Sequence, residues 1–284
     1  VLALRTLALL RREKPRVVIA QNPPIFCPLM CLLYSAFAGA RVIVDHHVLW
    51  RMAGRGLLMR LLGILEAYVV RHAHMNLAIH EEYCREVGRL GGSCITLYDK
   101  VPQLHLAETG KTENYVIFPC GGHPDEDLRL AVEAIARLRE LGVKLLVTGR
   151  LRKWQWEEVR DREEAVVTGF LPRRDYEKVL RQARVGLCLI KENPYTRPHI
   201  IYEYLAAELP FIFTKTPATA IFSECGVPVE NLEQLVNALR ELLIDEKAEE
   251  ESRKRVREFK RRLIEAREKQ IREVRKTVDR LLAS

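Results

Sequence analysis

The sequence predicts an α/β protein built from two doubly wound parallel sheets facing a cleft, with a long charged helix at the C-terminal end. Three observations predict it. Short β-branched runs alternate with amphipathic helical stretches, the pattern of βαβ units. The runs are apolar throughout rather than alternating, as strands covered on both faces are. A polar stretch without periodicity, residues 101–114, interrupts the series once and reads as a linker. At 284 residues the chain is long enough for two separate cores. The expected domains are residues 1–104, incomplete at their start, then 105–245, then the charged helix 246–284.

The elements follow in order. The chain opens in a helical pattern (Leu2, Leu4, Leu7, Leu10) without an initiator Met or a signal-peptide n-region, so something upstream is expected to be missing. Strands are predicted at 16–21, 41–45, 75–79 and 94–97, then after the linker at 115–118, 144–148, 165–168, 185–190 and 211–214. Helices with apolar 3–4 spacing lie between them, such as 128–141 and 176–183. The longest apolar run, 23–40, falls short of the roughly 18 unbroken apolar residues of a membrane span. Pro23, Pro24 and Pro28 open it and Ser35 and Gly39 interrupt it, which predicts a buried helix. Between 245 and 284 a narrow stripe of Val256, Phe259, Leu263, Ile271, Val274, Val278 and Leu281 suits packing on the body or a coiled-coil partner.

Composition narrows the function. With 48% hydrophobic and 30% charged residues the chain is soluble and globular rather than disordered. A net charge of +8 favours an anionic partner. Much of the basic charge is interleaved with Glu in the last 40 residues, as on a solvated helix. No nucleic-acid module or basic-aromatic stripe is present, so nucleic acid is not expected as a partner. The seven cysteines, Cys27, Cys31, Cys84, Cys94, Cys120, Cys188 and Cys225, lack CxxC spacing and accompanying His. They read as buried small hydrophobes in a reducing compartment, with no metal site.

The most informative stretch is "ENPYTRPHIIYEYLAAELPFIFT", 192–214. A helix is expected to start near Pro198 and His199, with Glu203 one to two turns inside. A helix N-terminus offers free N–H groups to a diphosphate, and proline there loses no hydrogen bond. Glu203 either accepts hydrogen bonds from a ribose diol or lies on an ordinary amphipathic helix. "VTGFLP" ends a strand with Phe170 and Leu171, and "FPCGGHPDEDL" carries Gly121 and Gly122, which permit close approach of strand and helix. There is no GxGxxG and no P-loop, which sets aside dehydrogenases and kinases. In the first half "AQNPPIF" and "VDHHVL" each end a predicted strand. Asp45, His46 and His47 there either supply a general base or serve structure.

Together these motifs resemble a known family. QNPP, VDHH, "TLYDKVP", "PDEDL", "VTGRL", "LPRRDYEKVLRQARVGLCL" and "RPHIIYEYLAAELPF" follow the order of the chitobiosyldiphosphodolichol β-mannosyltransferases, GT-B enzymes near the family-4 glycosyltransferases. The resemblance spans roughly residues 14–231. It implies two Rossmann-like domains and transfer of mannose from GDP-mannose to a lipid-diphosphate-linked glycan, with inversion, peripherally at the cytoplasmic membrane face. By position it implies Glu203 on the donor ribose, Phe170 to Pro172 at the base, Asp45 and His47 on the acceptor side, and Asp99 with Lys100 as hinge. Three departures are present. Tyr195 stands where the wider family has a second carboxylate, Val48 follows His47 where Asn is usual, and the first strand and glycine loop are absent.

An inverting displacement follows, with His47 or Asp45 as base. A helix start supplies about 0.3–1 kcal/mol at an exposed site, rising to about 2 kcal/mol when partly buried, against about 1.4 kcal/mol for each decade in rate, too little alone. At least one of Arg150, Lys191 or Arg197 is therefore expected to neutralise the leaving diphosphate, and no cofactor is then required. The stretch 49–65, with Arg51, Arg55 and Arg60 among its leucines, suits either an interfacial membrane helix or a core helix with snorkelling arginines. A non-catalytic nucleotide-sugar-binding or scaffold protein and a sugar-nucleotide epimerase are the rival readings.

Overall fold

The computed structural model describes residues 2–53, 56–105, 113–191 and 198–283. It divides into two compact units, Val1–Asp99 with Leu263–Ser284, and Lys100–Arg262. The division falls between Asp99 and Lys100 and again inside the last helix.

The first unit runs α1 (Leu2–Glu13), β1 (Val17–Asn22), α2 (Phe26–Ala38), β2 (Arg41–His46), α3 (Trp50–Ala53), α4 (Leu57–His72), β3 (Met75–Ala78), α5 (Glu81–Arg89) and β4 (Cys94–Thr96). Its sheet is wholly parallel in the order β1-β2-β3-β4. Alternate residues of a strand face opposite sides. Val42 and Val44 accordingly pack with Leu10, Cys31, Leu32 and Val69, while Ile43 packs with Leu77 and Ile95.

Two expectations are corrected here. The apolar run 23–40 is not a buried helix, because α2 buries Cys31, Leu32 and Tyr34 and exposes Phe26, Leu33 and Phe37. The stretch 49–65 is broken into α3 and α4, with Gly56 at φ 128° opening the second. On α4, Leu62 and Leu65 meet the core whereas Leu57, Leu58, Leu61 and Ile64 are exposed. The cysteines also differ from expectation. Cys84 and Cys94, with Cα atoms 5.4 Å apart, form a disulfide that ties α5 to the edge strand β4. That bond is at odds with the reducing compartment inferred from spacing. Cys31, Cys120, Cys188 and Cys225 are buried free thiols, and Cys27 is partly buried.

The second unit runs β5 (Tyr115–Cys120), α6 (Leu128–Ala136), β6 (Lys144–Gly149), α7 (Lys153–Val159), β7 (Ala165–Gly169), α8 (Arg173–Gln182), β8 (Val185–Cys188), α9 (Ile200–Ala207), β9 (Phe211–Thr214), β10 (Val227–Val229), α10 (Leu232–Ile244) and α11 (Glu246–Ala283), with 3-10 turns at Arg139–Leu141 and Ala220–Glu224. Its parallel sheet has the order β10-β9-β8-β5-β6-β7. The order reverses between β8 and β5, where ligands of doubly wound sheets bind at the strands' C-terminal ends. Val116, Phe118, Leu145, Val147 and Leu187 form a core with Leu128 and Ile135 of α6 and Leu239 of α10.

The helix expected over 128–141 ends at Ala136 and continues as the 3-10 turn. The strand expected over 185–190 stops at Cys188, and Ile190 instead bridges Glu126 antiparallel. α11 is one helix of 38 residues. Its stripe packs on the chain's own body. Phe259 meets Phe222 edge-on at 6.0 Å in the second unit, and Val274, Val278 and Leu281 cover Ile43, Leu77 and Ile95 in the first. Among the described residues no helix is long and apolar enough to cross a membrane.

Candidate functional site

A cavity of about 570 Å3 opens in the second unit at the C-terminal ends of β5, β6 and β7. Gly121, Arg150, Phe170 and Leu171, all singled out from sequence, line it with Arg173 and Tyr176. Phe170 is 75% exposed, an open aromatic face at the rim. Arg150 makes no ion pair among the described residues.

The floor was not foreseen. The Glu126 carboxylate accepts hydrogen bonds from three consecutive backbone N–H groups, Gly121 at 2.7 Å, Gly122 at 3.1 Å and His123 at 3.0 Å. Gln155 Nε2 donates to it at 3.1 Å and so does the Cys120 thiol at 3.1 Å. Burial, with Glu126 beside it, pushes that thiol up to about 12. A Cβ on Gly121 would sit 3.1 Å from Glu126 Oε1, so the glycine makes room for the carboxylate rather than for a helix. The closest backbone approach lies instead at Gly149, where φ is +104° and a Cβ would lie 2.0 Å from the Cys120 carbonyl oxygen. Gly122 donates to Glu126 but does not line the cavity.

The α9 segment is shifted from its expected position. His199 is the N-cap, so Pro198 precedes the helix and Glu203 falls in its first turn rather than one to two turns inside. Glu203 Oε1 accepts from Arg173 Nη1 at 3.0 Å, while Oε2 is buried and has no partner among the described residues. Arg173 also donates through Nε to the buried Glu177 at 2.6 Å, and Glu203 before Glu177 holds its guanidinium in the charged form. Glu177 Oε2 accepts in turn from the His105 N–H at 2.8 Å. Glu203 does not itself line the cavity and is tied to it through Arg173, a residue not singled out from sequence, whereas Arg150, Lys191 and Arg197 were expected at the diphosphate. Lys191 pairs with Asp127 at 3.4 Å and does not line the cavity, nor do Pro198 and His199. Arg197 and Tyr195 lie outside the described residues, as does Arg55.

In the first unit, Asp45 and His47 share a strand face two residues apart and meet, His47 Nε2 to Asp45 Oδ2 at 3.1 Å, both half-buried. That hydrogen bond raises the His47 pKa. Burial opposes it, and the charges of Asp45 and Asp99 add to the rise. The His47 N–H donates to the Asn22 carbonyl at 2.9 Å, which fixes the residue just beyond β2.

His46, on the opposite face, is buried, and its tautomer can be deduced. Asn76 Nδ2 donates to the carbonyls of Val70 and Ser93, so its Oδ1 must accept, and His46 Nε2 at 2.9 Å must carry the hydrogen. Nδ1 is then the acceptor for Asn22 Nδ2 at 3.2 Å. Burial lowers the His46 pKa, in keeping with this neutral ring. Asn22 Nδ2 also reaches Glu66 Oε1 at 3.2 Å, and Glu66 accepts the N–H of Trp50 at 3.0 Å at the start of α3. Burial raises the Glu66 pKa. This network anchors both ends of the His46–Trp50 segment. One signal for it was available: Glu66 is the lone acid between Asp45 and Glu81, on an apolar helix.

Residues 113–245 match the family described as glycosyl transferases group 1. HepE of Anabaena, solved in complex with UDP and glucose, superposes with a TM-score of 0.77 at 10% identity over 97% of this chain and 81% of that one. Sucrose-phosphate synthase of Thermosynechococcus elongatus gives 0.75 at 14% identity over 98% and 76%. The two structures share this chain's fold of two parallel-sheet α/β units, and the glycosyl transferase family match lies within its second unit. A putative UDP-N-acetylglucosamine 2-epimerase of Listeria monocytogenes also shares the GT-B architecture, with a TM-score of 0.62 at 11% identity over 88% and 72%. No curated protein matches the sequence.

Proposed function

We propose that the chain transfers a hexose from a nucleoside diphosphate sugar to a lipid-diphosphate-linked acceptor, with inversion at the anomeric carbon. The observation that carries this is Glu203: one oxygen is fixed by Arg173, which lines the cavity, and the other is buried without a partner among the described residues. An unpartnered buried carboxylate oxygen is costly unless a ligand supplies the donor, and a ribose diol supplies two. Phe170 takes the base against its exposed face, and Arg150 faces the diphosphate. Lys191 and Arg197 remain its candidate helpers from the loop after β8.

On the acceptor side the Nε2–H of His47 is committed to Asp45, which leaves Nδ1 as the base. It removes the proton of the attacking hydroxyl while the C–O bond to the leaving diphosphate breaks. Asp45 orients the ring and stabilises the imidazolium. Mannose and GDP-mannose are the sugar and donor implied by the sequence motifs, and Asp99 and Lys100 are the proposed hinge. A lipid acceptor requires peripheral contact with a membrane face, for which Leu57, Leu58, Leu61 and Ile64 of α4 are available.

Glu203→Ala should weaken GDP or UDP binding about 10- to 100-fold, the equivalent of a hydrogen bond to a charged group, about 1.5–3 kcal/mol. Thermal-shift titration with GDP, UDP and their sugar conjugates reads both the loss and the base preference. Unchanged affinity would remove Glu203 from the site. Donor turnover that needs a lipid-linked acceptor separates transfer from epimerisation.

A further inference from the structure

We infer that the first unit carries a second anion site, for a phosphate-bearing ligand, at the end of its sheet opposite to Asp45 and His47. A cavity of about 510 Å3 lies there, where α1 and α2 end and β1 and β2 begin. Arg11, Lys14, Arg16 and Arg41 line it together with Tyr34 and Phe37, and among the described residues no carboxylate does.

The backbone brings these cations together. Lys14 adopts φ 48°, uncommon for a residue with a side chain, and its N–H closes α1 on the Leu10 carbonyl at 2.9 Å. Gly39 ends α2 in the same left-handed conformation, at φ 67°. The Arg41 N–H donates to the Arg16 carbonyl at 2.8 Å, which sets the two strand starts side by side. The Arg16 guanidinium donates to the Leu282 carbonyl in the last turn of α11.

Ordinary structural causes do not account for the charge. Basic residues offset helix C-termini, but each terminus carries only about half a negative charge, so the ends of α1, α2 and α11 together offset about one and a half of four cations. Among the described residues Arg11 and Lys14 form no ion pair, and the nearby Glu13 pairs with Arg12. Residues 1–72 hold ten Lys and Arg against Glu13, Asp45 and Glu66. Asp45 is bonded to His47, and Glu66 is buried in the Asn22 network. A ligand with two or more negative charges is what such a cavity binds. Phosphate offers this either as a free ester or diphosphate, or as the headgroup of an anionic lipid, for which Phe37, 77% exposed, lies at the rim.

The test uses the full chain and two probes. Inorganic pyrophosphate is titrated into an Arg150→Glu background, which silences the cavity of the second unit. Vesicles of phosphatidylglycerol are compared with phosphatidylcholine by flotation of the otherwise unaltered protein. Arg11→Glu with Lys14→Glu should weaken one or both interactions at least tenfold, about 1.4 kcal/mol. The thermal midpoint without ligand should stay unchanged, and Arg11→Gln with Lys14→Gln replaces the pair if it does not. Loss with pyrophosphate alone identifies a free phosphate ligand, and loss with anionic vesicles alone identifies a lipid headgroup. Failure of both probes to bind, or binding that survives the substitutions, overturns the inference. Neither result bears on nucleotide binding at Glu203.

Discussion

Asp45 holds the His47 ring by Nε2, so the protonated ring is favoured and its pKa lies above the ordinary 6.5. A base works only when deprotonated, so kcat/KM for transfer should rise with pH through that raised value. Asp45→Asn removes the principal cause and should move this acid limb to lower pH while lowering the plateau. An unmoved limb would dissociate His47 from the rate. Stability runs the opposite way. A raised folded pKa contributes stability that is complete below 6.5 and is lost as pH rises through the raised value. Asp45→Asn should therefore cost more stability at pH 5 than at pH 9, read from urea midpoints. Asp45 and His47 were legible as a pair because strand geometry puts residues two apart on one face. Asn22, His46, Glu66 and Asn76 were not, because each comes from a different element. Arg173 was likewise hidden, since nothing in "LPRRDYE" ties it to an acid 30 residues later.

Among the elements, strand positions were the most readable, because apolar β-branched runs such as 41–45 and 211–214 have few other uses. The short β10, three residues with Pro228 in the middle, carried no such pattern. α9 was misjudged because proline was assigned to the helix when it only precedes it. The turn after β6 shows how closely two elements meet. Gly149→Ala combines strain at positive φ, about 1–3 kcal/mol, with a clash against the Cys120 carbonyl of comparable cost. A loss of about 2–6 kcal/mol by urea denaturation is expected, with β5 and the cavity floor displaced. A loss below 0.5 kcal/mol would mean the two strands separate freely. α4 makes a different demand, since Leu57 and Ile64 are 75% and 66% exposed. Replacing Leu57, Leu61 and Ile64 by Ser should leave the melting temperature nearly unchanged yet reduce flotation with neutral and anionic vesicles alike. Retained flotation would exclude this helix as the membrane contact.

For the whole molecule the fold class was legible from one alternation repeated on both sides of a linker. What composition concealed was where the charge resides. The Glu-rich C-terminal helix drew attention to its own cations, 14 Lys and Arg against 9 acids. That excess is offset by 26 acids against 22 Lys and Arg in residues 73–245, so the net surplus comes from residues 1–72 and the rest of the chain sums to near balance. That balance extends to the cavity of the second unit, where Glu126 already occupies the three N–H groups of the glycine loop. A diphosphate entering there finds the N–H groups of this loop taken and must rely on guanidinium groups such as that of Arg150 at the rim. Such pairing is screened by electrolyte, whose Debye length shortens from about 30 Å at 0.01 M to about 10 Å at 0.1 M. Nucleoside diphosphate affinity should accordingly fall as sodium chloride is added, whereas uncharged nucleoside affinity should not.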